Sequence, residues 1–139
     1  TKPVFVISTA NNIDLLPLEI IRKGRFDEIF FLDLPKKEER EEMFKIHLQE
    51  LRPNNWKSFD YSKLGRLSES FSGAEIRQGI IEGMYHAFYE KREFITEDIC
   101  RALRELIPLA NLDNNQMLKL QKWASSGQIR LASSKNIYI

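Results

Sequence analysis

The stretch from Val4 to Asp33, VFVISTANNIDLLPLEIIRKGRFDEIFFLD, constrains this chain more than any other. Two short apolar runs, Val4–Ile7 and Ile29–Leu32, are β-branched or aromatic and bounded by turn residues. Such runs predict buried strands in a sheet covered on both faces. Between them, Leu15–Ile21 carries apolar residues at helical spacing, with Pro17 near its start, where a missing N–H costs nothing. The order predicted is strand, loop, short helix, arginine-bearing loop, strand. Asn11 stands just past the end of the first run, the place where α/β sheets bind ligands.

Asn11, Arg22 and Arg25 are the residues with chemistry to offer here. An asparagine side chain donates and accepts, so it can hold a water and a phosphate oxygen at once. An arginine presents a planar, permanently charged fork that suits a transferring phosphoryl group. Each also has a plain structural reading. An asparagine after a strand forms turns, and Arg-x-Gly-Arg in a loop makes a solvated turn. Asp27 can pair with Arg25 or cap a turn, and has no chemical role here.

After Pro35 the pattern changes to helices. Lys36–Arg52 predicts an amphipathic helix. Met43, Phe44, Ile46, His47, Leu48 and Leu51 form its apolar stripe, opposite a solvated face of Lys37, Glu38, Glu39, Arg40, Glu41, Glu42 and Lys45. Pro53-Asn54-Asn55 stops it. Asp60–Ser70 predicts a shorter helix with Asp60 as N-cap. Phe71-Ser72-Gly73-Ala74-Glu75 opens the clearest helix, Ala74–Arg92, where Ile76, Ile80, Met84 and Phe88 recur every four residues. Ser72 and Glu75 have the spacing of a capping box. Gly79 and Gly83 inside this helix predict close approach of a neighbouring helix, since each costs about 1 kcal/mol against alanine. Thr96-Glu97-Asp98 starts a last buried helix with a capping threonine, and Pro108 ends it. Asp113–Ala124 predicts one more helix, ended by Ser125-Ser126-Gly127.

Composition sets wide bounds. A chain of 139 residues fits one domain or two small ones, and 42% hydrophobic content is enough to bury a core. A net charge of +1 gives no global pull toward nucleic acid or acidic lipid. Cys100, the single cysteine, has no internal disulfide partner, which suits a reducing compartment. No apolar run is long enough to span a bilayer. His86 has no metal-ligand partners at useful spacing, and no metal site is expected within the chain. There is no G-x-x-x-x-G-K-[ST] loop and no apolar run ending in Asp-Glu.

The Val4–Pro35 stretch resembles the second half of the ATPase domain of the AAA+ family, in its classical branch. That branch has a strand ending in Thr-Asn or similar, then Arg-x-Gly-Arg-Phe-Asp, another strand and Leu-Pro. Here these are VFVIST with Ala10-Asn11, then Arg22-Lys23-Gly24-Arg25-Phe26-Asp27, then Asp33-Leu34-Pro35. Ala10 and Lys23 stand where the family often has Thr and Pro. The resemblance, which covers about residues 4–107, implies that Asn11 is the sensor-1 residue near the γ-phosphate. It implies that Arg22 and Arg25 are arginine fingers reaching the neighbouring subunit's nucleotide. His47 in Phe44-Lys45-Ile46-His47 matches a histidine that lies against the adenosine, although a core or surface histidine reads equally well. Gly73 and Ala74 match the turn whose backbone approaches adenine and ribose. Many branches have a phosphate-sensing arginine directly after that Gly-Ala pair. Here Glu75 occupies the place, so Arg77 is the group left to reach phosphate, or it forms a surface ion pair.

The resemblance implies an α/β fragment, the C-terminal strands of a P-loop NTPase sheet, followed by an all-α helical lid, mainly helical overall. Residues 1–35 would belong to the ATPase core, 36–107 to the lid, and 108–139 to an extension with one helix. The chain is then expected to be the C-terminal part of a longer ATPase, inactive alone. ATP with Mg²⁺ is the implied cofactor, the Mg²⁺ ligands lying outside the chain, and a hexameric homo-oligomeric ring is the implied assembly, acting on a protein substrate. The tail segment Leu120–Gly127 followed by Ile129–Ala132 resembles a subgroup encoded in algal plastid genomes and cyanobacteria, which implies the chloroplast stroma or the cyanobacterial cytoplasm. The basic residues Lys119, Lys122, Arg130 and Lys135 keep an alternative open: a non-enzymatic helical adaptor that binds protein or RNA.

Overall fold

The computed structural model describes residues 2–22, 24–126 and 129–133. Helix, the 3-10 turns included, accounts for 57% of the described residues, beside one small parallel sheet. The helices are α1 (Leu18–Ile21), α2 (Lys37–Leu51), α3 (Tyr61–Leu67), α4 (Gly73–Tyr89), α5 (Thr96–Glu105), α6 (Leu109–Leu112) and α7 (Asn114–Ala124). The strands are β1 (Phe30–Phe31) and β2 (Arg130–Leu131), and short 3-10 turns lie at Ile13–Leu15 and Trp56–Ser58. The described residues divide into two compact units. One is Leu34–Met117; the other joins Thr1–Asp33 to Leu118–Ile139.

In the Leu34–Met117 unit, α2 packs on α3 and α4, and α5 packs on α3 and α4. Phe44, Leu48, Leu64, Ile76, Ile80 and Ile99 are fully buried, with Phe59, Phe71 and Phe94 around them. Each such side chain contributes roughly 1.5–3 kcal/mol. Asp60 caps α3 as expected, accepting the Lys63 N–H at 3.0 Å. The glycines of α4 have the close contacts the sequence predicts. A Cβ at Gly79 would lie 2.8 Å from Leu103 Cδ2, and one at Gly83 would lie 2.9 Å from the Ile99 backbone nitrogen.

Four expectations need correction. Arg40 is not on the solvated face of α2 but 7% exposed. It sits four residues before Phe44 and eight before Leu48, so helical geometry carries it inward with them. Its guanidinium donates to the carbonyls of Pro35 at 2.7 Å and Gly65 at 2.9 Å, and to Ser68 Oγ at 3.2 Å. Phe88 does not continue the stripe of α4; it is 81% exposed, and Ala87 is buried in its place. A strict spacing of four drifts about 40° per step around a helix, so three steps turn the residue off the core face. Thr96 does not cap α5. Asp98 accepts the Ile95 N–H at 2.9 Å, and the Thr96 hydroxyl accepts the Asp60 N–H at 3.1 Å.

The fourth correction concerns the sheet. Val4–Ile7 forms no strand, and Val4, Phe5, Val6 and Ile7 are exposed. A strand is held by its partner's N–H and C=O groups and by burial, and this run has neither among the described residues. β1 does form, but only Phe31 is buried while Phe30 and Leu32 are exposed, so the strand is not covered on both faces. It pairs in parallel with β2, with Phe30 opposite Arg130 and Phe31 opposite Leu131. The tail therefore returns to the unit that holds the Arg22–Arg25 loop.

Candidate functional site

The first group of candidate residues lies in the unit built from Thr1–Asp33 and Leu118–Ile139. Asn11 is exposed at a bend. The next residue, Asn12, starts the Ile13–Leu15 turn by accepting the Asp14 N–H at 2.9 Å. Arg22 and Arg25 flank Gly24, whose φ is 101°. Only glycine takes that conformation without steric cost, so the residue just before Arg25 is fixed by backbone geometry. Both arginines are exposed, and among the described residues neither makes an ion pair or a side-chain hydrogen bond. Lys23 lies outside the described residues, as do Gly127 and Lys135. Phe26, just after Arg25, is half-buried and begins the run into β1.

The second group lies in the Leu34–Met117 unit. A Cβ at Gly73 would sit 3.7 Å from Met43 Sδ, an ordinary contact. Met43 is one helical turn before His47 on α2, so the start of α4 lies beside the turn that precedes this histidine. His47 is half-buried; Ala74 and Arg77 are exposed.

Glu75 is committed to structure. Its carboxylate accepts the Ser72 N–H and hydroxyl at 2.8 and 2.7 Å, and the Leu109 N–H at 2.7 Å. Burial alone would raise its pKa, but the Leu109 and Ser72 N–H groups and the Ser72 hydroxyl outweigh burial and hold it below the usual carboxylate value. A negative group tied to the start of α4 in this way complements the helix dipole. The bond to Leu109 was not readable from the sequence, because it spans 34 residues.

Sequence reasoning also missed an ion network beside α4. Asp98 is 3% exposed and takes a two-pronged bond from Arg92, at 2.6 and 2.8 Å. Burial pushes its pKa up, and Arg92 with the Ile95 N–H pulls it further down, so the net shift is downward. Arg92 also meets Glu90 at 2.7 Å, and His86 approaches Glu105 at 3.5 Å. Among the described residues no cluster of His, Cys, Asp and Glu could hold a metal ion, and no helix is long and apolar enough to cross a membrane.

The sequence that builds these two units is similar to that of known proteins. The chain is a homologue of AAA domain-containing proteins. Over all 139 residues it is 76% identical to the uncharacterized AAA domain-containing protein ycf46 of Trieres chinensis, of which it covers 28%. It is 58% identical over 132 residues to the protein of the same name from Gracilaria tenuistipitata var. liui, covering 27% of it. A proteasome-activating nucleotidase of Saccharolobus islandicus is 32% identical over 120 residues, with 29% of its length covered. The chain thus spans between a quarter and a third of these relatives. No family model matches it.

Proposed function

We propose that this chain is the sensing and completing part of an ATP-hydrolysing AAA+ remodelling protein. Asn11 acts as sensor 1, its amide orienting the attacking water. Arg22 and Arg25 act as fingers that balance charge on a neighbouring subunit's nucleotide. His47, Gly73 and Ala74 lie against the adenosine, and Arg77 is the remaining cation for phosphate. ATP with Mg²⁺ is the cofactor, a hexameric ring the assembly, and the plastid stroma or a cyanobacterial cytoplasm the location that goes with the kinship.

One observation carries this reading. Two exposed guanidinium groups, without partners among the described residues, flank a glycine at positive φ. A solvated turn would expose them too; what favours the finger reading is that exposure leaves both planar forks, at the motif's spacing, open to a phosphoryl group. The adaptor reading has less support, because two basic residues of the tail are already engaged: Lys119 with Asp14 and Arg130 with Glu28.

The test uses the complete protein, with its phosphate-binding loop. Arg25→Ala should lower the turnover of assembled protein by roughly 10³ or more while nucleotide still binds, the scale measured for such fingers. Unchanged hydrolysis in the assembled state overturns the finger assignment.

A further inference from the structure

We propose that the C-terminal tail is a strap in cis: α7 and β2 fold back so that β2 adds a parallel strand to β1 and pins the exit of the Arg22–Arg25 loop. The strap stands on geometry alone. The importance of the loop it pins rests on the finger reading above.

Five contacts support it, spread over residues 119–132 of the tail and 14–33 of the N-terminal segment. The Arg130 N–H donates to the Ile29 carbonyl at 3.1 Å, and the Ala132 N–H donates to the Phe31 carbonyl at 3.0 Å. Alternate residues donating in this way is the parallel ladder. Arg130 Nε lies 3.3 Å from Glu28 Oε2. Gln121 donates to Asp33 at 3.3 Å, and Lys119 lies 3.4 Å from Asp14. A single exposed ion pair would carry little weight. Here the backbone ladder, an amide and two ion pairs all join the same two segments, and Phe31 is buried at the pairing.

The placement gives the tail its role. Glu28 and Ile29 directly follow the Arg-Phe-Asp of the arginine loop, so the tail grips the chain within a few residues of Arg25. The chain also leaves this unit at Asp33 and re-enters it at Leu118. The helical unit is therefore an insert held at both ends.

Two measurements on the complete protein test the proposal. Ala132→Pro removes the N–H that bonds Phe31, at an exposed position. It should speed amide exchange across residues 24–32 by about five- to tenfold, the scale set by one backbone hydrogen bond. Ala132→Ser keeps the N–H and should match the parent, as should the buried amides of α4 and α5 in both variants. Equal exchange across 24–32 in the proline variant and the parent overturns the strap. Phe30→Cys with Arg130→Cys, residues in register at a spacing a disulfide can bridge, should cross-link within one molecule on mild oxidation. Disulfide-linked dimers alone would overturn pairing in cis. Neither readout involves nucleotide, so a strap that holds while the fingers fail is distinguishable from the reverse.

Discussion

Arg40 grips the carbonyl of Gly65 with two arms of one guanidinium, Nε at 3.2 Å and Nη2 at 2.9 Å, and so binds α2 to α3 with a buried cation. Burial lowers its pKa, and Glu69, Glu38 and Glu41 oppose that shift from a distance. The same side chain holds the Pro35 carbonyl, where the helical unit begins. Arg40→Leu fills the space but leaves the Pro35 and Gly65 carbonyls short of donors. It should cost about 3 kcal/mol, since each buried group left unmet costs roughly 1–3 kcal/mol. Urea unfolding checks this: the midpoint should fall while the slope stays constant. Arg40→Lys should recover only part, because an ammonium lacks the fork.

Gly83 and Gly79 should respond differently to alanine, although each change gains about 1 kcal/mol of helix propensity. At Gly83 the new methyl meets backbone atoms of Asp98 and Ile99 at 2.9–3.0 Å. Backbone cannot step aside, so α5 must shift, and a net loss of about 1–2 kcal/mol is expected. At Gly79 the nearest atom is Leu103 Cδ2, which can rotate away. Thermal unfolding of the two variants should rank Gly83→Ala below Gly79→Ala, and the opposite order would contradict the packing described.

Asp98 sets an acid limit on the helical unit. Its carboxyl is held below the usual aspartate value. A group depressed in this way adds stability above its unfolded value, about 3.9. That contribution is lost as pH falls through the lower folded value. Asp98→Asn should therefore unfold at lower urea than the parent at pH 7. The gap should narrow as pH drops below about 4. A gap independent of pH would mean that the Arg92 bond does not stabilise the fold.

Gly24 should tolerate no β-carbon at its present geometry. Nothing lies within 4 Å of the place a Cβ would take, so space is not the obstacle; φ of 101° is. Gly24→Val should cost about 1–2 kcal/mol locally or reshape the loop. Because the loop is exposed, the change should appear as faster amide exchange at residues 22–27 and leave the midpoint of the helical unit in place. Gly24→Asn should be milder, since asparagine visits positive φ more readily.

Much of the helical unit was legible in the sequence, because period and caps agree there. Asp60, and the Ser72–Glu75 box, each mark a helix start that forms within a residue or so of its predicted place. Charge misled at Arg40: its spacing from Phe44 and Leu48 was the signal, and a cation normally belongs in water. Repetition misled at Phe88, where a spacing of four was followed one turn too far. The sheet was the least readable part. β2 is two residues long, lies about a hundred residues from its partner, and has no periodicity of its own. The exposure of the arginine loop was legible, since Arg-x-Gly-Arg reads as a solvated turn; what spacing could not show is that its glycine sits in the left-handed region.

Val4–Ile7, left bare to solvent, has a practical consequence at the bench. Four uncharged β-formers in a row, with no charged residue between Lys2 and Asp14, make a template for strand addition from another molecule. Concentrating the purified chain should therefore drive self-association seeded at this segment, visible as light scattering that grows with protein concentration. Phe5→Lys should delay its onset without altering the melting of the helices.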